Sequence, residues 1–250
     1  MIRPGTRALV AVAAMLAWPV WLAAQAPPPR DRDEEILKEL RDIKLLLQQL
    51  VRQGSPAMRP PVSQAVSMRL GNHASLGSAD APVTIVEFTD YQCGYCKRFR
   101  DQTFDPMKKA WIDTGKVRFV TRDLPIQTHA QAPAAARAAR CAGEQQRFWE
   151  MRDALFANPS DLSAPALKRR ATELGLDSKA FDACLDTERF RAEVEKDVAD
   201  AIAAGISSTP SFIVGRVTQG TLQGNRMAGA QPLAAFEAQF RALLGPAVAP

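Results

Sequence analysis

The sequence predicts an α/β fold that carries an inserted α-helical subdomain and is preceded by an amphipathic helix. Residues 82–88 form an apolar, β-branched run flanked by polar residues, which is typical of a buried strand. The next segment has a helical pattern and residues 116–124 resemble a second strand, giving the order strand, helix, strand. From Ala130 to Ala204 the chain is rich in Ala, Leu, Glu and Arg, which predicts several helices inserted at about 126–204.

The composition is that of a globular protein with a sizeable core. The 250 residues include 32 Lys and Arg against 27 Asp and Glu, giving a net charge of +5, with 46% hydrophobic residues and four cysteines. This balance disfavours disorder, a collagen repeat and a disulfide-dense miniature scaffold. Because the basic residues are dispersed along the chain, we do not expect nucleic acid as a partner.

The first 26 residues have the pattern of a secretory signal. A basic start is followed by an apolar stretch over residues 8–24 and by the small residues Ala24 and Ala26. Pro27 disfavours cleavage directly after Ala26, so the alternatives are cleavage after Ala24 or retention of the segment as a membrane anchor. Export would place the remaining chain in an oxidising compartment, the periplasm, where disulfides persist.

Residues 27–54 predict an amphipathic helix with a coiled-coil seam. Its apolar side chains are spaced by four, three, four and three positions, at Ile36, Leu40, Ile43, Leu47 and Leu50. A lone helix of this length is marginal in water, so we expect self-association into a homo-oligomer through residues 33–51. The alternative is packing against the chain's own globular domain. Leu and Ile at alternate seam positions favour more than two strands, but two heptads do not decide between dimer and trimer.

The remaining chain divides into a linker and one globular domain. Residues 55–70 contain three prolines and little periodicity, which indicates a linker. In the domain, residues 71–250, a further strand is predicted at 211–215, followed by a polar, glycine-bearing stretch. A helix is predicted from about Pro232, with four apolar residues along one face: Leu233, Phe236, Phe240 and Leu243.

The Cys-Gly-Tyr-Cys motif of residues 93–96 lies just past a predicted strand and opens a predicted helix. Two cysteines three positions apart share one helical face and can close a small disulfide ring. Cys93 is expected to face solvent at the helix N-terminus, where free N–H groups and the helix dipole favour a thiolate. We therefore expect its pKa to lie below the free value of about 8.5. Three basic side chains are expected to add to this effect: Lys97, Arg98 and Arg100.

Two other uses of the motif compete with redox catalysis. Zinc requires four ligands, yet Cys141 and Cys184 stand alone and His73 and His129 lack ligand spacing, so we expect no metal. No cofactor is expected either. The second alternative is a purely structural disulfide, which an ordinary pKa for Cys93 would favour.

Several motifs together resemble the DsbA-like thiol:disulfide oxidoreductases, a family with a thioredoxin fold and a helical insertion. The resemblance covers residues 71–245 and is carried, in the expected order, by LGSADAPVTIVEFTDYQCGYC, RFVTRDLP, AARCAGEQQRFWEMRDALF, FDACL and STPSFIVG. It implies that Cys93 is the exposed nucleophile that forms mixed disulfides and that Cys96 resolves them. It also implies cysteine-containing exported proteins as substrates and a membrane redox partner that recycles the dithiol.

The resemblance also implies a substrate-binding surface around the motif. Pro210 matches the family's cis-proline beside the dithiol, which leaves backbone groups of Thr209 facing a substrate chain that can add to them as a strand. Gly94 and Tyr95 complete the expected substrate contacts. The alternative for Pro210 is an ordinary trans proline at the start of a strand.

Two further assignments follow from the resemblance. Glu87, six residues before Cys93, occupies the place of a buried acid and is expected to exchange a proton with Cys96, directly or through water; the alternative is a solvent-facing edge position. Cys141 and Cys184 match a second pair in the insertion and are expected to form a structural disulfide. Buried free thiols and a redox-regulatory pair are the alternatives.

Other side chains in the insertion have ordinary structural explanations. His129 is expected to cap a helix or lie on the surface, although it could also face the active site. Four apolar side chains at helical spacing are expected in the core: Phe148, Trp149, Leu155 and Phe156.

The direction of the reaction stays open at this level. A DsbA-like oxidase donates its disulfide and acts as a monomer, whereas an isomerase stays reduced and holds its client. The Gly-Tyr dipeptide, the Thr before Pro210 and the N-terminal seam resemble features of oligomeric isomerases, while the domain itself is DsbA-like. Two alternatives remain: a non-catalytic partner-binding module and a glutathione-dependent enzyme, the second without distinct sequence support.

Overall fold

A computed structural model describes residues 30–52 and 65–245 of the chain. It divides the chain into two compact units, Met1–Met58 and Arg59–Pro250. The expected signal at residues 1–26 lies outside the described residues, as do residues 53–64, which include most of the expected linker.

In the described part of the first unit, the chain forms helix α1 (Arg30–Arg52). The seam side chains Ile36, Leu40 and Ile43 are each half exposed or more. Further exposed leucines on the same helix are Leu37, Leu45 and Leu46. The predicted amphipathic helix is therefore present over these residues, and the six apolar side chains named above are open to solvent.

Within residues 65–245, six strands form one sheet in the order β1-β6-β5-β3-β4-β2. Their bounds are β1 (Ala65–Arg69), β2 (Ser75–Leu76), β3 (Val83–Thr89), β4 (Val117–Asp123), β5 (Ser211–Thr218) and β6 (Thr221–Ala228). β3 pairs parallel with β4 and antiparallel with β5. All seven residues of β3 are buried, which explains why this strand gives a continuous apolar run with one carboxylate in it.

Two strands at one edge of the sheet, β1 and β6, were not predicted from the sequence. β1 lies inside the segment predicted as linker, and β6 lies inside the polar, glycine-bearing stretch to which no element was assigned. The sequence pattern of β6 does not identify it as a strand, because most of its side chains are only partly buried and it contains the polar residues Gln223 and Asn225. Gly215 and Gly224 lie opposite each other, and a Cβ on Gly215 would come within 2.0 Å of the Gln223 carbonyl. The glycines therefore permit close approach of two strands.

Helices cover both faces of this sheet. The helix that starts at α2 (Gly94–Phe99) continues through a π-helical turn (Arg100–Phe104), α3 (Asp105–Met107) and a second π-helical turn (Lys108–Ile112). The insertion consists of α4 (Ala132–Gly143), α5 (Phe148–Ala157), α6 (Ala164–Glu173), α7 (Ser178–Asp186) and α8 (Arg191–Ala203). The chain then returns to the sheet and continues to α9 (Leu233–Leu244).

The core has one part inside the insertion and one part on each face of the sheet. Leu155 and Phe156 are fully buried, and Phe148 and Trp149 pack against the core as partly buried side chains. These four residues are core residues, as predicted. The predicted α/β fold with an inserted set of helices is therefore present within residues 65–245.

A disulfide joins Cys141 of α4 to Cys184 of α7, with Cα atoms 5.9 Å apart. Both cysteines are buried in the core of the insertion, together with alanines of α4. The bond therefore links two helices of the inserted subdomain through cysteines that are 43 positions apart in the sequence.

Removing this disulfide is expected to lower the free energy of unfolding by about 3–4 kcal/mol, because the unfolded chain regains the entropy of a long open loop. Cys141→Ala/Cys184→Ala should be made in a Cys93→Ser/Cys96→Ser background and compared with that background alone by urea unfolding. An unchanged urea midpoint would contradict a stabilising disulfide.

Candidate active site

The dithiol lies where the central strand passes into the following helix. β3 ends at Thr89, and a three-residue loop leads to Cys93, which is the N-cap of α2 with an extended backbone. The Cys93 N–H donates to the Asp90 carbonyl at 3.1 Å, and the Cys93 carbonyl accepts the Lys97 N–H at 3.1 Å. Cys93 is thus held at the rim of the helix and Cys96 lies within its first turn.

The two thiols differ in accessibility. Both are free, but Cys93 keeps 7% of its surface exposed while Cys96 keeps none. Cys96 Sγ accepts the Asp90 N–H at 3.4 Å. Gly94 is exposed and Tyr95 is 63% exposed, so these residues form the outer surface of the motif. Of the two cysteines, only Cys93 keeps any surface in contact with solvent.

The surroundings of the two thiols shift their pKa values in opposite directions. Hydrogen bonding from Cys96 is the main reason why the pKa of Cys93 falls to about 5; Thr209 and the N–H groups of Tyr95 and Cys96 lower it further, whereas partial burial opposes the shift. Burial raises the pKa of Cys96 well above its ordinary value, and the neighbouring charges of Cys93 and Glu87 act in the same direction. At neutral pH Cys93 is a thiolate and Cys96 a thiol.

Two of the three basic side chains expected to assist Cys93 are paired with acids. Lys97 pairs with Asp101 at 2.7 Å, and Arg100 pairs with Asp153 at 3.0 Å. Their charges are therefore compensated locally. The largest causes of the low pKa of Cys93 are hydrogen bonds rather than these cations.

The loop before β5 lies beside the exposed sulfur. The Thr209–Pro210 peptide bond is cis. Cys93 Sγ lies 3.5 Å from the Thr209 carbonyl oxygen, to which the thiol can donate. Ser211 Oγ donates to the Ser208 carbonyl at 2.6 Å, which holds the loop in place. The structure thus brings Cys93, Thr209 and Pro210 together, although 116 positions separate the hydrogen-bonded pair.

Glu87 lies on β3 beneath the dithiol and is fully buried. The solvent-facing alternative is therefore wrong. Arg152 of α5 donates to Glu87 Oε2 at 3.0 Å, and the Thr121 hydroxyl of β4 lies 3.5 Å from the same oxygen. Glu87 Oε1 has no hydrogen-bond partner among the described residues. Within residues 65–245, the buried guanidinium of Arg152 compensates the carboxylate through Oε2.

Arg152 is a residue that the sequence analysis missed. Its side chain is fully buried, and its guanidinium lies 4.5–5.9 Å from the centres of four aromatic rings, those of Phe104, Phe119, Trp149 and Phe156. Such rings favour a cation over their faces and lower the cost of burying it. An arginine on an otherwise apolar helical face, between Met151 and Leu155, is the only sequence signal of this position.

A cavity of about 510 Å³ opens next to the buried acid. Thr121 lines this cavity and at the same time contacts Glu87. His73 and Asp123 belong to the same wall. The cavity is large enough to hold water. Thr121 therefore lies between solvent in the cavity and the Glu87 carboxylate.

His129 is placed differently from its predicted role. Its Nδ1 lies 2.8 Å from Asp90 Oδ2 and its side chain is 28% exposed, whereas Gln131 occupies the N-cap of α4. His129 therefore neither caps this helix nor lies free on the surface. In the described part of the chain, no three His, Cys, Asp or Glu side chains form a group that could hold a metal ion.

Comparison with known proteins agrees with this geometry. A family model described as thioredoxin matches residues 70–227. The chain belongs to the thioredoxin family. Among solved structures it is similar to BdbD from Bacillus subtilis (TM-score 0.63, 25% identity, 73% of this chain and 99% of that chain). It is also similar to α-DsbA1 of Wolbachia pipientis (TM-score 0.59, 25% identity, 70% and 92% of the two chains).

A third solved structure, a thioredoxin-like oxidoreductase from Silicibacter pomeroyi, has a TM-score of 0.58 and 27% identity over 70% of this chain and 94% of its own. These neighbours place the thioredoxin-family chain among proteins with the DsbA-like fold, that of thiol:disulfide oxidoreductases. The family resemblance drawn from the sequence motifs is therefore confirmed.

Curated relatives share a smaller part of their length with this chain. The Na(+)/H(+) antiporters NhaA 3 of Salinispora tropica and NhaA of Herminiimonas arsenicoxydans are each 38% identical, over 139 and 146 residues. These matches cover 55% and 58% of this chain but only 21% and 23% of the antiporters. Among the helices formed by residues 30–52 and 65–245, none is both long and apolar enough to cross a membrane.

The reduced protein is expected to show one thiolate titration at about pH 5, followed by ultraviolet absorbance of the thiolate. Because the pKa of Cys93 is lowered on folding, the thiolate stabilises the folded reduced protein at high pH, and this stabilisation is lost as the pH falls through about 5. Cys96→Ala should raise the pKa of Cys93 by removing its main hydrogen-bond donor. Cys93→Ser should abolish the titration, and persistence of a titration near pH 5 would contradict the assignment to Cys93.

Arg152→Met is expected to destabilise the fold by about 3–5 kcal/mol, because it leaves the Glu87 carboxylate buried without a counter-charge. Glu87→Leu/Arg152→Met should cost less than Arg152→Met alone, since it removes both charges. Arg169→Met is the matched control, because Arg169 is 62% exposed, and it should change stability by no more than about 0.5 kcal/mol. Urea unfolding measures all three, and equal losses for the single and double variants would refute a compensated ion pair.

Proposed function

We propose that this protein is a thiol:disulfide oxidoreductase that acts on cysteines of exported proteins through Cys93 and Cys96. The observation that carries the proposal is the difference between an accessible sulfur whose pKa is about 5 and a fully buried sulfur whose pKa is raised. An exposed thiolate is the attacking and leaving group of disulfide exchange, and a protected second sulfur resolves the mixed disulfide. A non-catalytic module has no need of this difference.

The reaction is proposed to begin with the Cys93–Cys96 disulfide. A client thiolate attacks Cys93 Sγ, the bond between the two enzyme sulfurs breaks, and Cys96 leaves with the electron pair and takes up a proton. A second client thiolate then attacks the client sulfur of the mixed disulfide, and Cys93 leaves as a thiolate. The client loses two electrons and gains a disulfide, while the enzyme becomes a dithiol that a membrane redox partner reoxidises.

Glu87 is proposed to exchange the proton with Cys96. Its carboxylate has one oxygen without a hydrogen-bond partner among the described residues, while Arg152 and Thr121 hold the other. Thr121 also lines the cavity beside the sheet, so protons can reach this acid from solvent without crossing the client-binding surface. The Glu87→Gln variant should therefore slow the release of Cys96 and alter its pH dependence.

Client binding is proposed to use the loop beside Cys93. The contact between Cys93 Sγ and the Thr209 carbonyl, 3.5 Å apart, supports this assignment, because an extended client chain there can pair with the Thr209 backbone. Gly94 and Tyr95 supply the opposite wall. The exposed ring of Tyr95 offers an apolar contact that does not depend on the client sequence.

Oxidation is the direction that the sulfur chemistry favours. A stabilised Cys93 thiolate stabilises the reduced enzyme and therefore makes its disulfide a stronger oxidant. One observation favours isomerisation as the second candidate, namely the exposed apolar seam of α1. We infer that this seam joins copies of the chain, which would surround one client with several dithiols and raise their effective concentration.

The proposed site of action is the periplasm. Three features support it: the signal pattern in the first 26 residues, the Cys141–Cys184 disulfide, and a low pKa of Cys93 that suits donation of a disulfide. The proposed domain boundaries keep residues 27–54 as the association segment and place the catalytic domain after it.

The deciding experiment compares oxidation of a reduced two-cysteine peptide with reactivation of scrambled ribonuclease. Wild-type protein and Cys93→Ser are measured in both assays. An oxidase should oxidise the peptide stoichiometrically when supplied as the disulfide and show little reactivation, whereas an isomerase should reactivate ribonuclease when supplied reduced. Loss of both activities in Cys93→Ser is expected. Equal activity of Cys93→Ser and wild type would refute the oxidoreductase.

The role of α1 is tested by Leu40→Glu, which places a charge in the seam, and by Gln48→Glu, which places the same charge on an exposed position outside it. Leu40→Glu should lower the sedimentation mass to that of one chain, and Gln48→Glu should leave it unchanged. If reactivation of ribonuclease falls together with the mass, the isomerase is favoured. A monomeric wild-type protein would refute the association.

A further inference from the structure

Asp90 is a buried carboxylate in the loop between β3 and Cys93, and it has no part in the exchange proposed above. Its side chain is fully buried, one residue past the end of β3. Asp90 Oδ1 accepts the Gln92 N–H at 2.7 Å, and Oδ2 accepts the Ile126 N–H at 2.8 Å. Oδ2 also lies 2.8 Å from His129 Nδ1. Burying a charge at this point would be unfavourable without these three partners.

The backbone of the same residue holds both cysteines. The Asp90 carbonyl accepts the Cys93 N–H at 3.1 Å, and the Asp90 N–H donates to Cys96 Sγ at 3.4 Å. Since this N–H contributes to lowering the pKa of Cys96 against the effect of burial, it stabilises negative charge on that sulfur. One residue therefore links the dithiol, through its backbone, to the insertion, through its side chain.

Two further contacts fasten the same loop to the insertion side. The Leu124 N–H donates to the Thr89 carbonyl at 2.8 Å, and the Gln131 N–H donates to Gln92 Oε1 at 3.0 Å. These are ordinary neutral hydrogen bonds. The Asp90 carboxylate makes the charge-assisted contacts between the two loops, which are the stronger kind.

Given the thiol:disulfide exchange proposed above, on which this assignment rests, we propose that Asp90 and His129 form a positioning pair that aims the Asp90 N–H at Cys96. A carboxylate only accepts hydrogen bonds, so His129 Nδ1 carries the proton of their contact. When a client thiolate attacks Cys93 Sγ and the disulfide breaks, the electron pair moves to Cys96 Sγ. The fixed N–H stabilises the charge until the sulfur is protonated.

The variants are chosen to separate positioning from folding. Asp90→Asn replaces one acceptor oxygen by a donor, so one of the surrounding N–H groups loses its partner. His129→Leu removes the donor to Asp90 from a side chain that is 28% exposed, whereas His129→Asn keeps a donor near the place of Nδ1. Asp177→Asn is the matched control, because Asp177 caps α7 by accepting the Ala180 N–H at 3.0 Å and belongs to the insertion.

Full-length oxidised protein is mixed with reduced glutathione, and the equilibrium constant and rate of reduction of the Cys93–Cys96 disulfide are measured. Asp90→Asn and His129→Leu should lower both by about threefold to tenfold, the worth of one net hydrogen bond, while His129→Asn stays within about twofold of wild type. Asp177→Asn keeps an oxygen that accepts the Ala180 N–H, so it should leave the urea midpoint of unfolding and both redox quantities unchanged.

The positioning role is overturned if Asp90→Asn and His129→Leu match Asp177→Asn in both redox quantities, or if His129→Asn is as impaired as His129→Leu. If Asp90→Asn does not fold, the two His129 variants decide the question alone. A wild-type disulfide that glutathione does not reduce through Cys93 would instead refute the proposed exchange. Normal wild-type exchange with unaffected variants removes only the positioning pair.

Discussion

The fully buried ion pair between Glu87 and Arg152 joins the sheet of the globular domain to its helical insertion, next to Cys96. Glu87 belongs to the central strand and Arg152 to the insertion, and both side chains are completely buried. Neither charge is favourable alone in this environment, so the packing of α5 on the sheet and the presence of an acid beneath Cys96 require each other. The aromatic rings around Arg152 favour its cation over their faces, so the ion pair also depends on how these rings pack.

The difference between the two cysteines follows from where each lies on the helix. Cys93 is the N-cap, so its sulfur stays at the rim beside the N–H groups of the first turn and the Thr209 loop. Cys96 is three residues later, on the side of the helix that faces the core. A shift of the helix start by one residue would move both sulfurs to different surroundings. The hydrogen bond from Cys93 N–H to the Asp90 carbonyl fixes this start, and so it also fixes the acidity of both thiols.

Sequence reasoning predicted the elements that depend on residues close together in the chain. Periodicity predicts α1, composition predicts β3 and the helical insertion, and the spacing of the motif predicts two cysteines on one helical face. β1 and β6 were missed because they form one edge of the sheet, where side chains are partly exposed and no apolar run is needed. Arg152 was missed, and His129 was given a cap or surface role, because each meets its carboxylate through tertiary packing, 65 and 39 positions away.

Cys96 lies between two carboxylates of different use. Glu87 lies beneath it with one oxygen without a partner among the described residues, and its negative charge disfavours a second charge on the sulfur. Asp90 has its carboxylate satisfied by three neighbours and offers Cys96 only its N–H. In the exchange proposed above, a departing Cys96 meets a hydrogen-bond donor but cannot keep its charge, because burial and the neighbouring acid oppose it. Protonation must then accompany departure, and we propose that the same surroundings slow the return of Cys96 as a nucleophile, so that the mixed disulfide persists until a client thiol completes the exchange.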